Sequence, residues 1–400
     1  MRLISRIDPA YDLRELQAVF LKSGSGTVEE FESRFASKFG CRHGVMFPYG
    51  RSGLFCLFKA WGLTGSEIIC PAYTCVVVPH AVVLSGNVPV FVDCARNSYN
   101  MDYIALENAL GPKTGAVIVT HLFGHPMDTS RIESIVHDAE CRFGHSIHIV
   151  QDAAHSFGCT SGGRIVTAER DCAIFGLNVS KMINSIFGGM VITSDDYCAE
   201  ELRRIRGEMF REPGLVKVLS RFMYFLGAFF AFRPDIFPIV DLLQCTGALD
   251  RLTVYYREGI IDFPADWDTL ACGLEARIGL VQLEKYDRII AKRRTVALKY
   301  SKKLEKSGLL FVPPFDPEAT YSHFTVLASD RELAERLFMA QGVRVGRVID
   351  YSIPELKAYL RYSAGKDYPV AARYARHAIN IPLRSPRKII QALTELIHRL

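Results

Sequence analysis

Lys181 is the one charged residue in the stretch Phe175–Gly189, FGLNVSKMINSIFGG. About thirty residues earlier, Asp152 ends an apolar run in VQDAAHSFG. A lysine attacks carbonyls only when it sheds its proton or is already held as a Schiff base. Its ordinary pKa of about 10.4 must fall, and dry surroundings lower it by disfavouring the charged form. Pyridoxal phosphate suits such a lysine, and its ring nitrogen needs a carboxylate that keeps the pyridinium protonated, so the ring can take up electrons. Its phosphate needs backbone N–H groups, best supplied where a glycine-containing turn opens a helix. PYGRSGLFCLFKAW (48–61) offers such a turn, with Gly50, Arg51, Ser52 and Gly53 leading into apolar helical spacing. Alone, a strand-end Asp is usually an N-cap, and a lone Lys usually reaches solvent. The order and spacing of the three pieces together carry the case.

The elements that position them read as an α/β layer. Short runs rich in Val and Ile appear at 67–70, 88–93, 115–121, 148–152, 172–177 and 189–194. Helix-length segments lie between the earlier ones at 51–62, 73–85, 102–110 and 128–142. Continuously apolar strands alternating with helices predict a largely parallel sheet covered on both faces. Ligands of such sheets sit beyond the carboxyl ends of the strands, where Asp152 and His121 fall. From about residue 275 a long amphipathic helix begins, followed by shorter strand and helix signals. The expected division is a cofactor-binding domain over 1–265 and a smaller α/β domain over 266–400.

The chain has 400 residues, 23% charged and 49% apolar, as a folded globular protein does. A net charge of +5 without dense Lys/Arg runs argues against a nucleic-acid partner. Eleven scattered cysteines without a CxxC pair argue against a disulfide framework and a zinc site, and for a reducing cytosol. MRLISRIDPAYDL lacks the long apolar core of a signal peptide, so the expected location is cytoplasmic.

Many blocks, in one order, resemble the DegT/DnrJ/EryC1/StrS family of sugar aminotransferases, fold-type-I pyridoxal phosphate enzymes. SEIICPAYTCVVVPHAVVLSGNVPVFVDCARNSYNMD resembles the family's "DEVI-P-x-x-T … G-x-x-P-V-F-V-D … N-x-D" block, and THLFGHPMD its "H-L-x-G-x-x-x-D". VQDAAHSFG resembles "x-E-D-A-A-Q-A-x-G", and FGLNVSKMINSIFGGMVIT resembles "F-S-F-H-x-x-K … G-E-G-G-x-x-x-T". EARIGLVQLEKYDRIIAKRR resembles "Q-A-A-I-G-x-x-Q-L … R-R". The resemblance implies that Lys181 forms the Schiff base and that Asp152 faces the pyridine nitrogen. It implies that His155, in place of the usual Gln, lies near the phenolic oxygen, where an imidazole can donate as an amide does and can change its charge with pH. It puts Gly50 and Arg51 on the phosphate turn.

The departures are specific. Arg51 replaces Thr, and Gly176 replaces the Ser that holds the phosphate, with Ser180 or Asn178 as substitutes. Cys75 stands where an aromatic ring usually covers the cofactor, with Tyr73 as the replacement ring. The Asn or Arg that reaches across the dimer is not evident near DWDTL (266–270). The implied reaction is transfer of an amino group from an amino acid, glutamate by expectation, to a nucleotide-linked keto-sugar by a homodimer. Sugar dehydratases of the family typically carry His in place of the lysine, so Lys181 speaks against them. A non-catalytic member that binds a sugar nucleotide or a membrane partner is the alternative, favoured by the losses at 75 and 176.

One region, 208–265, is unusual for the family. Its stretch Leu215–Phe232, LVKVLSRFMYFLGAFFAF, is too short and too interrupted by Lys217 and Arg221 to span a bilayer. Two readings remain: a helix buried at a subunit interface or over the site, and a helix lying on the inner membrane surface.

Overall fold

In a computed structural model of the chain, the described residues are 2–21, 24, 26–249, 256–305, 309, 311–363 and 365–399. A seven-stranded sheet is built from β1 (His43–Phe47), β2 (Glu67–Pro71), β3 (Val88–Val92), β4 (Thr114–Thr120), β5 (His148–Asp152), β8 (Cys172–Gly176) and β9 (Gly189–Thr193). A two-stranded ribbon of β6 (Thr160–Ser161) and β7 (Arg164–Ile165) lies outside it. The sheet order is β1-β9-β8-β5-β4-β2-β3. The four pairings from β3 to β8 are parallel, and β9 runs antiparallel to both β8 and β1.

Both faces are covered, as continuously apolar strands require. Along β4, Ala116 and Ile118 join one core while Val117 and Val119 join another on the opposite face. The first core takes in α3 (Gly50–Ala60) and α4 (Val77–Leu84), and the second takes in α5 (Tyr103–Ala109) and α6 (Thr129–Phe143). Behind β8 and β9, α2 (Thr27–Lys38) packs Phe31 and Phe35 against Ala173, Phe175, Met190 and Ile192. Helices α3 to α6 follow the predicted segments to within a few residues. The edge strand β1 was not anticipated; its five residues, HGVMF, are too few to show a period.

The helix expected from residue 275 is α10, Gly273–Leu304, preceded by α1 (Leu13–Phe20), α7 (Asp196–Met209), α8 (Leu215–Ala231) and α9 (Phe237–Cys245). Its first turn is fixed by Glu275, whose carboxylate accepts the Cys272 N–H at 2.7 Å. A separate core joins the end of α10 to the pair β10 (Phe324–Leu327) and β11 (Ala378–Ile381), to α11 (Arg331–Ala340) and to residues of α14 (Pro386–Arg399). Two shorter helices, α12 (Leu360–Ser363) and α13 (Pro369–His377), lead into β11. Ile4, from the other end of the sequence, is buried in that same C-terminal layer.

Of the unusual region, 250–255 lie outside the described residues and the described part forms α8 and α9; no helix among the described residues is long and apolar enough to cross a membrane. The inner face of α8 packs Phe225 against Val19, Ile186 and Ile278.

Candidate functional site

The parallel register sets Thr120 beside Asp152, and Asp152 beside Ile174, so β4, β5 and β8 end at one level. Beyond β8 the chain leaves at Gly176, loops through Lys181 and re-enters the sheet at Gly189. The loop is closed by its own backbone: Lys181 N–H donates to Asn178 O at 2.9 Å, and Ser185 N–H to Leu177 O at 2.8 Å.

Lys181 and Asp152 are brought together. Burial lowers the Lys181 pKa, opposed by Cys75 and then Asp152. Burial raises the Asp152 pKa, opposed by the Ala154 N–H, the Lys181 charge and Thr120. The carboxylate is oriented by two donors, Ala154 N–H to Oδ1 at 3.1 Å and Thr120 Oγ1 to Oδ2 at 3.2 Å. A lysine whose pKa is lowered by its surroundings, coupled to an oriented acid, suits carbonyl chemistry at Lys181.

His155 is buried on the same side, and its Nδ1 accepts the Phe123 N–H at 3.4 Å. That bond assigns the ring proton to Nε2, so a neutral His155 presents a donor. Burial, then the charge of Lys181, pushes its pKa well below the usual histidine range. That direction favours the neutral ring, with burial the larger cause and the Lys181 charge the next. His323, from the C-terminal layer, faces it with ring centroids 5.1 Å apart and is held neutral by burial and by Lys181. No motif or period flagged His323; its place depends on a contact made only by the fold. Phe123, which packs against both imidazoles, has a φ of 57°, the left-handed region that non-glycine residues seldom occupy.

The glycine turn lies next to the lysine loop. Helix α3 begins at Gly50 with no side-chain cap, and Tyr49 pairs with Gly188. A side chain at Gly189 would overlap the backbone of Tyr49 and Gly50, so only glycine lets the two segments meet. The Arg51 guanidinium lies 5.9 Å from the centre of the Tyr49 ring, and its charge reaches His80, whose pKa burial pushes down to about 4. At Gly176 a Cβ would stand 3.4 Å from Lys181 Cε.

Cys75 is half-buried and its thiol acts electrostatically on Lys181, whereas Tyr73 is 0% exposed. The Tyr73 hydroxyl donates to Ile349 O at 3.0 Å, and its ring lies between Phe123 and Tyr374. Tyr73 therefore offers no free face to a cofactor, which corrects its assignment as the covering ring. Ser180 is exposed; its N–H and hydroxyl both donate to Asn178 Oδ1, at 3.0 and 2.6 Å. The segment at 266–270 folds onto its own chain: Asp266 accepts the Tyr49 hydroxyl at 2.6 Å, and Trp267 O accepts Ser52 Oγ at 3.0 Å. His121 is satisfied by Gln151 and the Met127 N–H, and Arg347 by both oxygens of Glu335, as structural residues are.

These groups fit pyridoxal phosphate. A half-buried amine and a buried acid act on one another, α3 begins without a side-chain cap beside them, and glycines let the two segments meet.

Comparison with known proteins agrees. The sequence pattern of the DegT/DnrJ/EryC1/StrS aminotransferase family matches residues 13–229 and 272–388. The GDP-perosamine synthase of Caulobacter vibrioides is 28% identical over 299 residues, 74% of this chain and 67% of that protein. The fold is similar to that of S. venezuelae DesV, solved with a ketimine intermediate, with a TM-score of 0.78 at 22% identity over 100% of both chains. It is also similar to that of an E. coli GDP-4-keto-6-deoxy-D-mannose-3-dehydratase solved with bound hydrated PLP, with a TM-score of 0.77 at 18% identity over 99% and 100% of the two chains. Across most of its length, from α1 to the start of α14, this chain belongs to the DegT/DnrJ/EryC1/StrS aminotransferase family, whose enzymes use pyridoxal phosphate.

Proposed function

We propose that the protein transfers an amino group from glutamate to a nucleotide-linked keto-sugar, with Lys181 as the lysine that carries the cofactor. The observation that supports this reading is the electrostatic coupling of the Lys181 amine to the Asp152 carboxylate beyond β5 and β8. Bound pyridoxal phosphate supplies an aldehyde that captures amines and a ring that accepts electrons. Asp152 holds a proton at the ring nitrogen, fixed in orientation by Thr120 and Ala154. His155 donates from Nε2 toward the phenolic oxygen. The end of α3, with Gly50 and Arg51, receives the phosphate. With the cofactor bound, Lys181 would be the residue that carries it, and its amine would serve as the general base and acid that moves the proton of the donor's α-carbon.

The relative's name makes a GDP-linked sugar the first acceptor to test. The working unit on this reading is a homodimer, and the outer face of α8 is part of the subunit contact. Membrane-surface contact through the same helix is the competing role for that face.

Borohydride reduction followed by peptide mapping tests the assignment. The wild-type protein loaded with pyridoxal phosphate is expected to carry a reduced pyridoxyl group on Lys181, and Lys181→Ala to carry none. The same adduct in both proteins would overturn it. Bleaching of the yellow colour by glutamate, and its return with a GDP-linked keto-sugar, tests donor and acceptor.

A further inference from the structure

The lysine loop is tied to the beginning of the described chain by a buried polar chain. Tyr11 donates its hydroxyl to Asn184 Oδ1 at 2.5 Å. Asn184 Nδ2 donates to Pro9 O and to Gln282 Oε1, both at 3.2 Å. Gln282 Nε2 donates to Glu15 Oε1 at 2.6 Å, and Glu15 pairs with Lys285, whose amine also donates to Ala10 O at 2.7 Å. Asn184, Gln282, Glu15 and Lys285 are all buried. Burial drives the Tyr11 pKa well above its ordinary value, so the phenol remains a donor.

The other end of this segment is fastened to the C-terminal layer. Ile4 N–H donates to Gly342 O at 2.9 Å, and Arg344 N–H to Ile4 O at 2.9 Å. Arg384 reaches Ile7 O at 3.3 Å. The family match begins at residue 13, so these contacts from 4 to 12 lie outside it. Asn184 is three residues from Lys181 in the same closed loop. A buried amide that makes three hydrogen bonds to two elements has little freedom, and an unsatisfied one shifts to find a partner.

We infer that residues 4–12 are a tether that holds the Lys181 loop in place against the C-terminal layer, with Tyr11 and Asn184 as positioning residues for amine transfer. The inference rests on Lys181 being the cofactor lysine. Tyr11 and Asn184 act through the loop backbone. Displacing a reacting group by about 1 Å costs roughly 100-fold in rate.

The test uses the full-length protein loaded with pyridoxal phosphate, comparing wild type, Tyr11→Phe and Asn184→Ser. Tyr11→Phe removes one hydroxyl and leaves the ring against Phe225, 5.2 Å away. Hydrogen exchange in peptides covering 177–188 is expected to quicken about tenfold in both variants, while β4 is unchanged. The pH midpoint of the loaded protein's absorbance band is expected to shift, and kcat to fall with little change in KM for the donor. Unchanged loop exchange and an unchanged midpoint in both variants would overturn the tether. So would faster exchange in β4 and the loop alike, which reports general loosening. A borohydride label on a residue other than Lys181 in wild type would overturn the lysine assignment instead, whatever the loop does.

Discussion

The guanidinium of Arg221 lies 3.9 Å from the centre of the Phe187 ring. Arg221 belongs to α8, and Phe187 closes the lysine loop where the family block quoted above has Glu. A cation over an aromatic face keeps an attraction at that point without the carboxylate. The same guanidinium meets Asp266 at 2.7 Å and Glu275 at 3.3 Å, and its Nη2 is 3.5 Å from the Tyr49 hydroxyl. Removing it leaves the buried Glu275 without its cation, so Arg221→Met is expected to destabilise the fold by about 3 kcal/mol. Arg221→Lys should restore only part, because a point charge cannot serve two carboxylates and a ring. Urea denaturation measures both. A loss under about 0.5 kcal/mol would mean that water takes over these contacts.

Histidines set the acid limit of stability. Burial pushes His80, His121 and His125 down to about 4, and His155 and His323 well below their usual range. Below about pH 6.5 the unfolded chain binds protons that these folded rings refuse, so stability rises with pH up to there and is lost as pH falls. Each ring contributes a slope of up to about 1.4 kcal/mol per pH unit. Asp152 and Glu169 act in the opposite sense, since their raised pKa values let the folded state hold a proton longer, but they are two groups against five. Urea midpoints at pH 7 and pH 5.5 are expected to differ steeply. His125→Asn should flatten the slope by about one proton, because its Nε2 is buried without a partner. Equal midpoints at the two pH values would show that the rings are charged in the fold.

Gly176→Ser would return the hydroxyl that the family keeps beside the phosphate. The new Cβ would meet Lys181 Cε at 3.4 Å and Ala154 Cβ at 4.0 Å, which are ordinary contacts. The variant is expected to fold as wild type does and to retain pyridoxal phosphate more tightly by about 1 kcal/mol, roughly fivefold. Equilibrium dialysis against pyridoxal phosphate measures it. Weaker retention would show that the phosphate is held elsewhere.

The pair proposed for the chemistry was legible in the sequence because both residues are placed by local pattern. Asp152 ends a run of apolar residues that forms a strand, and Lys181 interrupts an uncharged loop between two more. Tyr73 and Cys75 were not separable, because after Pro71 the chain follows neither a helical nor a strand period, and two residues decide which side chain enters the core. His323 was invisible for a different reason. Its neighbours His155 and Phe123 are far away in sequence, so nothing local marks it. In α8 the apolar composition was plain, but the direction of Lys217 and Arg221 was not. Both turn inward, onto Thr269 O and Asp266, whereas cations on a surface helix ordinarily mark its wet face.

That inversion leaves α8 with an apolar outer surface. Leu215, Val216, Leu219 and Met223 are 88, 85, 61 and 58% exposed, and both charged side chains of the helix are spent inside. Uncovered apolar area carries about 25 cal/mol per Å², and a stable contact buries about 800 Å² per partner. A charge at the centre of such a contact should weaken it by at least about 100-fold, which corresponds to about 2.7 kcal/mol. Leu219→Asp together with Met223→Asp leaves the inward-facing Phe225 and Ala228 untouched. Sedimentation velocity is expected to show a dimer for wild type and a monomer for the double variant, with neither protein floating on liposomes of anionic and neutral lipid. A variant that stays dimeric but loses flotation shown by wild type would assign the face to the membrane and sink the dimer reading.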